Sequence, residues 1–134
     1  MLPLRYHSSL NYWRVLINMD SKEIIQLIVN ACDDKQAEDI VVLDMNQVSL
    51  VADYFIICHA NNERQVQAVA RSVKESMDKH HIPIKQMEGI EQARWVIIDT
   101  GDVLCHIFHK NERTYYNLER LWGDASTVKV EIGK

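Results

Sequence analysis

Along this chain the apolar residues switch between two spacings, and that switching restricts the fold more than any other feature. Ile24, Ile25, Leu27, Ile28, Ala31 and Cys32 make one stripe at the 3.6-residue period of a helix. Ile40 to Leu43 and Tyr54 to Cys58 are instead short runs rich in β-branched residues, the pattern of strands covered on both faces. Helical spacing returns with Val66, Val69, Ala70, Val73 and Met77, while Arg64, Gln67, Arg71, Lys74 and Asp78 fall on the opposite side. Trp95 to Ile98 and Val103 to Phe108 are again β-type, joined by Asp99-Thr100-Gly101-Asp102, whose glycine can supply the positive φ of a tight reversal. From Glu112 to Trp122 a last helical stripe is set by Tyr115, Leu118, Leu121 and Trp122, with Gly123 as its stop.

The boundaries carry their own signals. Asp20 and Glu23 have capping-box spacing, and Asn62 with Gln65 repeats it, so a helix is expected after each. Asp33, Asp34 and Lys35 close the first helix, and Pro83 favours an extended residue before it. Val48 to Asp53 reads as a loop, and residues 124–134 as a short strand or irregular chain. The order helix, strand, strand, helix, strand, hairpin, helix gives an α/β fold, a mixed β-sheet flanked by helices. No repeat and no glycine- or proline-rich linker divides the 134 residues, so one domain is expected, burying roughly two thirds of the surface of its unfolded form.

Charge is distributed unevenly. Residues 1–19 contain Arg5 and Arg14 and no acid, leaving residues 20–134 with 13 of the 15 basic and all 19 acidic side chains, a formal charge of −6. A domain of that sign is repelled by a phosphate backbone, so a basic protein surface is the better electrostatic partner and little direct RNA contact is expected. No apolar run reaches the 18 residues of a membrane span. Residues 1–18 are read as an N-terminal extension outside the domain, with Met19 as the natural start and 19–134 as the domain itself. Three scattered cysteines, Cys32, Cys58 and Cys105, none in C-x-x-C spacing, suit a reducing, cytoplasmic compartment and are expected to be buried, inert thiols.

Sites for chemistry are scarce. Four glycines, at 89, 101, 123 and 133, cannot assemble a phosphate-cradling loop, so no nucleotide cofactor is expected. His106 and His109 stand three apart on one strand and point to opposite faces, and neither they nor His59, His80 and His81 suggest three converging metal ligands. Cys105 and His106 are strand neighbours whose side chains diverge. Asp99 and Asp102 could pair around a divalent ion in a nucleotidyltransferase-like enzyme, yet both residue types form turns in their own right.

Asp39-Ile40, Ala52 to Ile57, Arg64-Gln65-Val66, Glu88-Gly89, Trp95 to Asp99, Gly101-Asp102-Val103, His106-Ile107-Phe108 and Tyr115 to Trp122, in that order and spacing, resemble the ribosomal silencing factor family, also called Iojap-like. The resemblance covers roughly Met19 to Asp124. It implies a fold similar to nucleotidyltransferases but without their active-site acids, and a role that is not enzymatic. It further implies docking on large-subunit ribosomal protein fourteen at the intersubunit face of the large ribosomal subunit, which keeps the small subunit from joining and represses translation. Matching family-typical positions, Glu88, Trp95, Asp99, Asp102 and His106 are the candidate contact residues, gathered along one end of the sheet. Trp95 opens its strand and reads either as an interface anchor or as a core residue at the sheet edge. Pairing of an edge strand between two copies would make a homodimer.

Overall fold

The computed structural model describes residues 20–46, 49–116, 126–130 and 132. Residues 1–18 with the start at Met19, Val48, and the last helix beyond Tyr116 through Gly123 lie outside them. Helix α1 (Ser21–Asp34) begins at the expected cap: the Asp20 carboxylate accepts the Glu23 backbone N–H and the Glu23 carboxylate accepts that of Asp20. Strands β1 (Glu38–Asp44) and β2 (Tyr54–Ala60) follow, then helix α2 (Glu63–Lys79), whose Asn62 cap accepts the Gln65 N–H. A three-residue strand β3 (Gln86–Glu88) precedes the hairpin of β4 (Trp95–Asp99) and β5 (Val103–His109). Helix α3 (Lys110–Tyr116) starts directly from β5, and β6 (Ser126–Val128) adds the short final strand.

The strands lie side by side in the order β3-β4-β5-β2-β1-β6. β2 and β5 run parallel, and every other pair is antiparallel. A parallel pair needs a long crossover, and the chain between β2 and β5 supplies it as α2, β3 and β4. The hairpin turn is closed by Thr100, whose backbone N–H and hydroxyl both donate to the Val103 carbonyl. Gly101 there adopts φ +102, as the turn requires.

Alternation along the strands sends side chains to two separate cores. Against α1 and α2 lie Val42, Ile56, Cys58, Ala60, Val96, Ile98, Val103, Cys105 and Ile107, packed on Ile24, Ile28, Val66, Val69, Val73 and Met77 from the helices. The opposite face gathers Leu43, Phe55, Ile57, Leu104 and Phe108, with Met45 and Ala52 from the β1–β2 connection and Val41, Trp95 and Ile97 partly buried beside them. β1 is therefore covered on both faces, as its unbroken apolar run predicts. Arg113 of α3 donates to the Asp39 carbonyl at 2.7 Å and lies 3.0 Å from His59 Nδ1, tying that helix across the ends of β1 and β2.

Candidate docking face

Where β4 begins is fixed by a glycine. Gly89 holds φ +88, and a Cβ there would overlap the Trp95 carbonyl, so only glycine lets the β3–β4 connection pass this close. The Ala93 N–H donates to the Gly89 carbonyl at 2.9 Å, closing a tight turn that delivers Trp95 to the first position of β4.

From there the register decides which side chains share a face. Trp95, Ile97 and Asp99 alternate to the side away from α1 and α2, opposite Phe108, His106 and Leu104 on β5. On the other flank Glu88 sits opposite Ile97. Cross-strand partners project to the same side, so Glu88, Trp95, Asp99 and His106 occupy one face. The sequence reading expects them at one sheet end, but they are not gathered there: four residue steps along β4 separate Trp95 from Asp99, roughly 13 Å. Asp102 stands apart, in the turn. Its carbonyl accepts the N–H groups of Asp53 and Tyr54, and its carboxylate accepts the Ser21 hydroxyl at 3.4 Å, linking the hairpin to β2 and α1.

Each of the four has a distinct environment. Glu88 is exposed and hydrogen-bonds with Gln86. Asp99 is half-buried, and its carboxylate accepts the Gly101 N–H at 2.8 Å, which caps the turn. The Asp99 carboxylate thus serves the turn backbone, whereas that of Asp102 serves the Ser21 hydroxyl of α1. Trp95 is half-buried, its ring stacked on Phe108 with centroids 5.1 Å apart. Its indole N–H donates to His106 Nδ1 at 3.0 Å. His106 itself is only 4% exposed, beneath Trp95 and 4.7 Å from the Phe55 ring. Burial among aromatic rings pushes its imidazole down to about 4, so the ring is neutral at physiological pH. Leu50 and Val51, exposed on the β1–β2 connection, were not marked by any sequence pattern.

The cysteines hold a surprise for the sequence reading, which takes them as scattered. Cys32 of α1, Cys58 of β2 and Cys105 of β5 meet in the core under the helices, all fully buried, with Cys32 hydrogen-bonded to both others. Hydrogen bonding to Cys105 and burial hold the Cys32 thiol well above its ordinary range; hydrogen bonding to Cys32 and burial do the same for Cys58. Spacing alone could not show this, because the convergence depends on β2 pairing with β5. Among the described residues no group of three or more His, Cys, Asp or Glu side chains is arranged to hold a metal ion. None of the described helices is long and apolar enough to cross a membrane.

Fold and face together define a small α/β domain with an aliphatic core under two helices and a mixed aromatic and acidic face opposite. The chain belongs to the ribosomal silencing factor family: the family described as "Ribosomal silencing factor during starvation" matches residues 18–134. Ribosomal silencing factor RsfS of Bacillus subtilis is 56% identical over 115 residues, covering 86% of this chain and 98% of that protein. A crystal structure of a Bacillus halodurans protein superposes with a TM-score of 0.74 at 55% identity, covering 82% of this chain and 100% of that one. A more distant relative, "Mitochondrial assembly of ribosomal large subunit protein 1" of Mus musculus, is 27% identical over 109 residues, 78% of this chain and 47% of that protein. The family is one of translation regulators.

Proposed function

We propose that this chain docks through the Trp95 face onto the large ribosomal subunit, at large-subunit ribosomal protein fourteen, and represses translation by keeping the small subunit from joining. The observation that carries this reading is the placement of Trp95. It is half-buried, braced by Phe108 and His106, and shares its face with the exposed Glu88. A braced aromatic ring rimmed by polar groups is the usual form of an interface hot spot. The acidic balance of residues 20–134 favours a basic protein surface over bare RNA. Family membership supports a ribosomal target, and the name of the mouse relative refers to the large subunit. The compartment is the cytoplasm, where three free thiols remain reduced.

Sedimentation tests the proposal. Purified chain should co-migrate with isolated large subunits and reduce their association with small subunits. Trp95→Ala should weaken that binding by about 1–3 kcal/mol. Failure of the unaltered chain to co-migrate, or to hinder joining, would falsify the reading.

A further inference from the structure

His106 is the one described residue with a buried side-chain nitrogen lacking any hydrogen-bond partner: its Nε2 meets no acceptor among the described residues. Nδ1 accepts the Trp95 indole N–H, so in the neutral ring the proton resides on Nε2. A buried donor left unsatisfied is a cost to the fold. Phe55, Trp95 and Phe108 are all apolar on the faces they turn to the ring, and a leucine or phenylalanine would fill such a place without that cost. The imidazole therefore calls for an explanation other than packing, and its single satisfied contact supplies one.

We propose that His106 is a positioning residue: by accepting the Trp95 indole N–H it fixes the orientation of that ring for docking, and does not itself touch the partner. This rests on the docking reading above. The ring of Trp95 has two rotatable bonds, and stacking on Phe108 restrains its plane but leaves the direction of its N–H edge open. A hydrogen bond to Nδ1 selects one direction before the partner arrives, so the ordering cost is met in the free protein. It also gives a residue only 4% exposed a part in docking: its influence reaches the surface through Trp95.

Two variants separate the acceptor from the bulk. His106→Leu fills the place with an apolar side chain and removes the acceptor, whereas His106→Asn places an amide oxygen near the position of Nδ1. In each full-length variant the Trp95 indole N–H resonance, assigned by its loss in Trp95→Phe, is recorded together with affinity for isolated large subunits. For His106→Leu we expect an upfield shift of that resonance, at least tenfold faster hydrogen exchange there, and roughly tenfold weaker docking. His106→Asn should restore most of both, and His106→Leu should melt no lower than the unaltered protein. Either an unmoved indole resonance or unweakened docking in His106→Leu overturns the proposal, as does failure of His106→Asn to recover either. If Trp95→Ala docks normally, the docking reading itself fails; if Trp95→Ala is weak and His106→Leu is not, only the positioning role fails.

Discussion

Under α1 and α2 the sheet presents Val42, Ile56, Val96, Ile98, Val103 and Ile107 with two of the cysteines, all buried and without a charged group. The opposite face, built by the same alternation on the same strands, carries Phe55, Phe108, a half-buried tryptophan, a buried histidine and two acids. Buried aliphatic residues on the first face supply stability and little else. On the second, an imidazole with an unsatisfied nitrogen and a large ring left part-exposed are departures from optimal packing. Such departures concentrate where a surface has a task beyond holding the fold. The comparison teaches which face to interrogate for binding and which for folding.

Four perturbations break or sharpen that contrast. The largest effect is expected on the helix side, where Ile28 is fully buried. Ile28→Ala should lose about 2–5 kcal/mol in urea unfolding, while the folded fraction docks as before. A docking defect without destabilisation would reverse the assignment of faces.

Next comes acid. Because burial lowers His106 to about 4 from an ordinary value near 6.5, the unfolded chain takes up this proton first as pH falls. This group leaves stability unchanged above about pH 6.5 and lowers it by about 3 kcal/mol as pH drops from there through about 4, because protonating the buried ring is the cost. Urea midpoints at pH 7 and pH 4.5 should therefore differ more in the unaltered protein than in His106→Asn. An identical pH slope in both would show that the second core does not hold a neutral imidazole.

Smaller still is Gly89→Ala. Overlap with the Trp95 carbonyl and a positive φ should cost about 1–3 kcal/mol and, unlike Ile28→Ala, weaken docking even in the folded fraction because Trp95 shifts. Equal docking per folded molecule would detach the β3–β4 turn from the face. The smallest change is Glu88→Lys, at an exposed position on that face. Stability should move by no more than about 0.5 kcal/mol, while association with the large subunit slows and loses some of its salt dependence.

Much of this architecture is written in the sequence. Both long helices start at the caps that Asp20 and Asn62 announce, because capping is a local matter of one side chain and N–H groups three residues away. The hairpin is equally legible, since Gly101 and flanking β-type runs specify it within fifteen residues. What spacing conceals is what strand order creates. That β2 runs parallel to β5 brings three distant cysteines together, and no local pattern encodes the pairing. The element order anticipates a strand ahead of the hairpin, but the three residues of β3 make too short a run for alternation to place it. For the face, the residues Glu88, Trp95, Asp99 and His106 can be picked out, yet their relations depend on cross-strand register. Only the register and the tertiary contacts show that His106 lies beneath Trp95 and that Asp102 ties the hairpin to β2 and α1.

The most direct trial of the face assignment is oxidative footprinting of the chain, free and in complex with isolated large subunits, read by mass spectrometry at Trp95 and His80. Trp95 lies on the second face and His80 closes α2 on the first. Strong protection of Trp95 on docking, with His80 oxidised as readily as in the free protein, is the predicted result. Protection of His80 with Trp95 unchanged would contradict it.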